Sequence, residues 1–554
     1  MASFDLLAAP WIPVLRPDGS PEMVGLRDAL LRASDILAID DSSPLATVAL
    51  HRLLLAIVHR AHDGPRGVDA WEAIWAARAF DRGWVLTYLQ RVTDRFDLFD
   101  AAHPFGQVAG LPTALAKSVA VLTHEIASER NSALLFDHTT EAALTPAEAA
   151  RALLACQLYA PGGLITGHPA DPKRSAQAGP LTGTATFLVR GRTLFETLCL
   201  NLVRYDPADA APITGSGPDG PSWERDEPLQ PGPTPVRGYL DALTRLSRSI
   251  LLIPDRTGDR NVVRRVVLLR GEERPMGTAW RYLVEPVFCA YRRNAQARTD
   301  AEEPWIPLRF EPARSLWRDS TTLLVAAPNR ATVRPAILDW IATLARQGVG
   351  HLRRDRVMPL DAIGLTMAPG RASKPYLWRA EHLPVSPALL EDRDAQDVLV
   401  RAVAYAEAVG DLFEPRWSRE DNGRPIPRPF LVLAMALASG GAHDHAPTRL
   451  QVDDAKKAVA DPARTSAPYW SALDVAFGAF LEALAVGPDE ARRSVAFAAW
   501  AHAVERAAVA AFSSATLDLE RQPRAGLAVA EADLAFRRQL RAIARRHLPE
   551  VVAT

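Results

Sequence analysis

The sequence predicts an α+β protein, with a mixed α/β N-terminal domain over residues 1–380 and a C-terminal helical bundle over 385–554. Three observations carry this expectation. The chain has 554 residues, more than the roughly 250–300 at which a single hydrophobic core stops growing. Its middle, from about residue 160 to 310, is rich in β-branched residues and broken by glycine and proline. Beyond residue 385 it turns alanine-rich and leucine-rich with helical periodicity. At 48% hydrophobic and 23% charged residues, the composition is that of a globular protein rather than a disordered or disulfide-stapled one.

In chain order, residues 1–110 open with a short apolar stretch and then turn helical, with Leu50, Leu53, Leu54, Ile57 and Val58 on one apolar face. Thr184–Val189, Ser249–Ile253, Val262–Leu269 and Leu283–Tyr291 read as strands. Ala208–Pro235 concentrates proline and glycine and reads as an exposed loop. Segments 388–413, 428–440, 469–485, 488–516 and 527–547 read as helices, with breaks at Gly440–Gly441, Gly487–Pro488 and Gln522–Pro523. Several such helices in succession make a bundle.

Charge and cysteine content narrow the function. The net charge is −1, which excludes a uniformly basic nucleic-acid coat and leaves local patches as the route to phosphate. Only Lys117, Lys173, Lys374, Lys456 and Lys457 are lysines, so 59 of the 64 basic residues are arginine; that excess suits phosphate contacts and equally suits a GC-rich genome. Cys156, Cys199 and Cys289 show no CxxC spacing, which gives neither a zinc ribbon nor a disulfide framework. The longest uncharged apolar stretch, Phe430–Ala442, is too short to span a bilayer, so a cytoplasmic protein without a membrane partner is expected.

The common catalytic signatures are missing: there is no Walker A lysine loop, GxSxG elbow, HExxH pair or GxGxxG turn after a strand. One catalytic alternative stands. His51, His59, His62 and Asp63 resemble the start of an HD-type metal-dependent phosphohydrolase, although His51 and His59 lie about 80° apart around a helix and Asp63 serves equally as a helix cap. His443-Asp444-His445 reads as a solvated loop. The segment Ala160–His168 carries Gly162, Gly163 and Gly167; it is either a loop that lets backbone approach a ligand closely or a helix C-cap with an ordinary turn. In the last helix Arg537, Arg541 and Arg545 share a face at i, i+4 spacing, which reads as a phosphate-tracking stripe or as a solvated face.

The opening Phe4–Val14 (FDLLAAPWIPV) followed by Pro17-Asp18-Gly19, then Phe96–Asp100 with His103–Gln107, then Asn131–His138 (NSALLFDH), the glycine segment, Phe187–Gly191 and Trp317-Arg318-Asp319 form an ordered set that resembles the CasA family. This is the large subunit of the type I-E CRISPR surveillance complex, Cascade. The resemblance implies an α/β N-terminal domain with a C-terminal four-helix bundle, and a non-catalytic role without cofactor or metal. The implied partners are the other Cascade subunits, the CRISPR guide RNA, double-stranded target DNA and a helicase-nuclease effector. The implied work is recognition of the protospacer-adjacent motif and the start of strand separation and R-loop formation, with guide pairing reading the longer sequence.

Site residues carry over as expectations. The family's glycine loop matches Gly162 and Gly163. Its basic finger falls on Arg270, with Arg292 and Arg293 behind it. Its wedge hairpin falls near Met367–Trp378, where Pro369-Gly370 and Pro375 bracket Arg371-Ala372-Ser373-Lys374 as a short exposed tip; no glutamine stands there, and Arg371 and Lys374 are the DNA-facing candidates. Asn131, Phe136 and His138 are expected at the contact with the guide RNA and the rest of the complex. The paired cysteines that some relatives carry are absent, with Asp255–Arg260 in their place, so no zinc site is expected.

Overall fold

The structure is a computed structural model that describes residues 3–124, 142–275, 285–294, 305–325, 332–368, 371–419, 423–439, 448–459, 461–486, 489–522 and 525–548. It divides into two compact units. The first comprises Met1–Pro312, Ala326–Arg354 and Met358–Leu383, and the second Ala313–Val325, Asp355–Val357 and Pro384–Thr554.

The first unit is organised around the helix Pro44–His62. Proline in its first turn has no N–H to waste, and the leucine-rich run behind it is buried on every side from Leu45 to Val58 except at Thr47. The sequence showed one apolar face; the structure covers the whole cylinder, as expected of a helix that is hydrophobic all round. The helix Pro146–Tyr159, opened by a Thr145/Glu148 capping box, packs along it. Arg52 of the central helix is itself buried and ion-paired to buried Glu285.

Small sheets surround this centre. Ile12–Leu15 lies between Pro21–Val24 and Ala38–Ile39. Arg248–Thr257 and Arg260–Arg270 form a long antiparallel hairpin, with Lys117–Ser118 on its open side and a register shift between Val263 and Arg265. A third sheet runs in the order Arg371–Val385, Met358–Ala368, Thr186–Val189. The strand expected at Leu283–Tyr291 is displaced: among the described residues it begins only at Tyr291 and ends at Arg293, between Trp305–Pro307 and Thr332–Val333.

Ala208–Pro235 is not simply an exposed loop. Residues 214–218 are exposed, but Trp223 is buried and donates from Nε1 to the Tyr88 hydroxyl at 2.8 Å. Asp219 accepts from the Leu240 and Asp241 amides at 2.9 and 3.0 Å. Side chains, not regular backbone ladders, fix this stretch, so its proline and glycine content overstated its exposure.

In the second unit four long helices, Arg393–Gly410, Ser466–Val486, Glu490–Glu520 and Gly526–His547, pack together. Their core holds Trp470, Phe477, Phe480 and Trp500, with Trp317 stacked on Phe477 at 4.5 Å between ring centroids. The helix Pro429–Ala438 lies against Gly526–His547. Arg449–Val459 is a further helix that the periodicity did not show, because Val459 is its one buried residue and a helix without an apolar face leaves no pattern. Ser466–Val486 and Glu490–Glu520 are long and apolar enough to cross a membrane by length and composition; here their aromatic residues fill the bundle core.

Candidate nucleic-acid interface

The glycine segment forms a β-hairpin. The helix before it ends at Ala160 in extended conformation, so the glycines do not form a left-handed C-cap. Gly163–Leu164 pairs antiparallel with Ser175–Ala176, and the arms continue through Ile165 N–H to the Arg174 carbonyl at 3.1 Å and mutual His168/Asp171 backbone bonds at 3.0 Å. Both glycines have reasons inside the protein. A Cβ on Gly162 would sit 2.8 Å from the Ala178 amide nitrogen, and Gly163 has φ +117°, a region that L side chains rarely adopt. What the first arm presents outward is Leu164, 83% exposed, with exposed Lys173 and Arg174 on the opposing arm.

Arg270 is not a finger. It is 2% exposed and makes a bidentate ion pair with buried Glu273, with Nε donating to Oε1 at 2.8 Å. It also pairs with Asp171 at the turn of the glycine hairpin. A guanidinium committed to two carboxylates is not available to a phosphate. It is instead a fastener: with the Thr166/Leu269 bridge and the Lys117 Nζ donation to Thr166 Oγ1 at 2.9 Å, it ties the glycine hairpin to the base of the long hairpin. The far end of the long hairpin, residues 254–260, is exposed throughout and carries Arg256 and Arg260. Arg292 and Arg293 are also exposed, but as neighbours on one strand they point to opposite faces and cannot act as one finger.

The expected wedge tip is a strand arm. Arg371 to Lys374 begin the 15-residue strand Arg371–Val385, so Pro375 lies inside a strand and does not bracket a loop. That strand is at the sheet edge, where a missing N–H is tolerated. Lys374 is exposed; residues 369 and 370, which separate the two strands, lie outside the described residues.

The family model described as CRISPR-associated protein Cse1 matches residues 5–511. The chain belongs to the Cse1 family. It is 32% identical over 516 residues to a CRISPR-associated protein CasA/Cse1 of Thermus thermophilus, which covers 90% of this chain and 92% of the relative. It superposes on the crystal structure of Cse1 from Acidimicrobium ferrooxidans with a TM-score of 0.78 at 26% identity, over 99% of each chain. A chain of a structure described as a CRISPR RNA-guided surveillance complex shares the fold, with a TM-score of 0.71 at 22% identity over 97% of this chain and 100% of that one.

Asn131, Phe136 and His138 lie outside the described residues, as do His443-Asp444-His445. Arg537, Arg541 and Arg545 are all exposed on the last helix, with Arg537 held by Asp533 at 2.7 Å. The histidines of the phosphohydrolase alternative are not assembled as ligands. Among the described residues no group of three or more His, Cys, Asp or Glu could hold a metal ion. His51 and His59 are buried, with Nδ1 of each 2.8 Å from the Thr47 and Gly64 carbonyls respectively. Burial pushes the His59 imidazole down to about 4, and Asp63 is the left-handed C-cap, ion-paired to Arg66. The three cysteines are free and buried.

Sequence reasoning missed Lys173 and Arg174. The available signal was a rare lysine beside an arginine at the close of a glycine- and proline-rich stretch.

Proposed function

We propose that this chain is the non-catalytic large subunit of an RNA-guided Cascade surveillance complex in the cytoplasm. In that role it recognises the protospacer-adjacent motif in double-stranded DNA, helps to start strand separation and R-loop formation, and offers a docking surface to a helicase-nuclease. Family membership supports the setting, and likeness to a chain of a surveillance complex is in keeping with it. One observation carries the DNA-reading part: a hairpin fastened by Arg270 presents an exposed Gly163–Leu164 step with Lys173 and Arg174 on its other arm.

That combination suits a duplex edge. Cations hold phosphates and fix register without reading sequence, while an apolar side chain on a fastened hairpin arm can enter a shallow groove and press on a base step. Minor-groove readout is degenerate, in keeping with a short motif. Lys374 on the edge strand and Arg256 and Arg260 on the long hairpin are further cations for phosphate. The guide complex docks through the segment around Phe136 in this reading.

The test uses Cascade assembled with this chain and a guide RNA. Lys173→Ala/Arg174→Ala should weaken binding to a fully paired target about tenfold or more, the effect of losing two phosphate contacts. Leu164→Asp should weaken it on a paired target but much less on one already unpaired beside the motif. Unchanged binding by both variants overturns the assignment.

A further inference from the structure

The first unit contains a cleft of about 290 Å³ beside the first turns of the helix Pro44–His62. His51 lines it from the helix, Leu188 and Ile363 from the third sheet, and Ile39 and Asp40 from the end of the strand Ala38–Ile39. His51 is 7% exposed. Its Nδ1 lies 2.8 Å from the Thr47 carbonyl oxygen, so Nδ1 carries the proton and Nε2 keeps a lone pair. Nε2 has no hydrogen-bond partner among the described residues and, unlike Nε2 of His59, is not sealed inside the protein. The small exposed part of this side chain faces the cleft, so a bare acceptor is aimed into it. Burial pushes the His51 imidazole below its ordinary value, which keeps the lone pair free at neutral pH.

The carboxylates around the cleft are not equivalent. Asp41, Asp361 and Glu381 are ion-paired to Arg151, Arg190 and Arg379. Asp40 is exposed, and its carboxylate has no hydrogen bond or ion pair among the described residues. Two acceptors, Asp40 and His51 Nε2, are therefore left open, and together they suit a positively charged group that carries N–H donors. One imidazole and one carboxylate are too few for a metal ion, in line with the lack of any candidate metal group among the described residues. Ile39, Leu188 and Ile363 are each no more than 7% exposed, and apolar walls of this kind hold the carbon body of a small ligand.

We propose that this cleft binds an aliphatic ammonium or guanidinium ion, whose N–H donates to His51 Nε2 while Asp40 balances its charge and its carbon chain lies on Ile39, Leu188 and Ile363. The same head group occurs free in small amines and guanidines and at the end of a lysine or arginine side chain, and the test separates these sources. The proposal does not depend on the glycine hairpin reading the duplex.

The experiment is isothermal titration calorimetry of the full chain. The probes are n-butylamine and n-butylguanidine as free head groups, and lysine and arginine blocked at both backbone ends as side-chain head groups. At least one should bind at a single site with a Kd of about 1 mM or tighter, within reach of so small a ligand, and the tighter pair names the source. n-Butanol has the chain without the charge, and n-butyltrimethylammonium has the charge without an N–H; each should bind at least about tenfold more weakly than the best cation. Asp40→Asn changes an exposed side chain and should lose about tenfold in affinity. His51→Phe keeps a flat ring without the acceptor nitrogen and should lose a similar factor. A second readout leaves His51 in place: in the chain labelled with ¹⁵N-histidine, the best cation should shift one unprotonated ring-nitrogen resonance upfield, and Asp40→Asn should abolish that shift at the same concentration. No saturable binding by any of the four cations, equal binding of n-butyltrimethylammonium, or normal binding by Asp40→Asn would overturn the proposal.

Discussion

Burial sets the protonation of His59, the clearest case of a residue whose chemistry is fixed by its surroundings. The ring lies 5.4 Å by centroid from both Tyr205 and Tyr239, and its Nδ1–H donates to the Gly64 carbonyl. Its pKa of about 4 is below the roughly 6.5 of an unfolded histidine. As pH falls from 6.5 toward 4 the unfolded chain takes up a proton that the folded chain refuses, so this residue's share of stability is present above 6.5 and is lost over that window, by about 2–3 kcal/mol. Urea unfolding at pH 7.0 and 4.5 should show that loss in the unmodified chain and a smaller one in His59→Gln. A second residue-scale prediction concerns Arg52 and Glu285. Arg52→Met leaves a buried carboxylate unpaired and should cost about 3–5 kcal/mol, whereas Arg52→Met/Glu285→Leu should recover much of it; denaturant midpoints decide. The histidine spacing was legible in the sequence, but the chain reversal that brings the Gly64 carbonyl to the ring was not, and that contact separates a buried structural imidazole from a metal ligand.

At the scale of elements, local pattern was readable and partner choice was not. The expected helices at 469–485 and 527–547 appear as Ser466–Val486 and Gly526–His547, because helical periodicity is written into neighbouring residues. A strand's identity depends on a partner elsewhere. The glycine segment became a hairpin through Ser175–Ala176, and Arg371–Lys374 became part of an edge strand through Met358–Ala368. Arg270 shows the same limit, since one of its two carboxylate partners, Asp171, is far from it in the chain.

Arg270 is therefore a positioning residue. Arg270→Ala should speed amide hydrogen exchange at His168 and Asp171, with partial recovery in Arg270→Lys; unchanged exchange would mean that the backbone alone holds the hairpin. Gly163→Ala should cost about 1–3 kcal/mol of stability from its positive φ, seen as a lower melting temperature without any DNA. Substituting Leu164, which is exposed, probes DNA contact without that penalty.

For the whole molecule, the ordered motifs pointed to the family, while texture alone did not show that Ala313–Val325 and Asp355–Val357 belong with the helical unit. A net charge of −1 concealed how the cations are distributed: some arginines are spent on internal ion pairs such as Arg52–Glu285, Arg270–Glu273 and Arg318–Glu407, while others, such as Arg174, Arg292 and Arg541, are exposed. The exposed ones at the glycine hairpin give the account its central claim, that this subunit reads a short duplex element beside the guided target. The most direct measurement reconstitutes Cascade with this chain, a guide RNA and a duplex library randomised beside the protospacer, and sequences the bound and unbound fractions. The account predicts that bound duplexes share a short motif at a fixed position next to the target, and that Leu164→Asp/Lys173→Ala/Arg174→Ala removes this preference while pairing to a pre-opened target persists. Identical flanking sequences in both fractions, with binding set by guide complementarity alone, would contradict it.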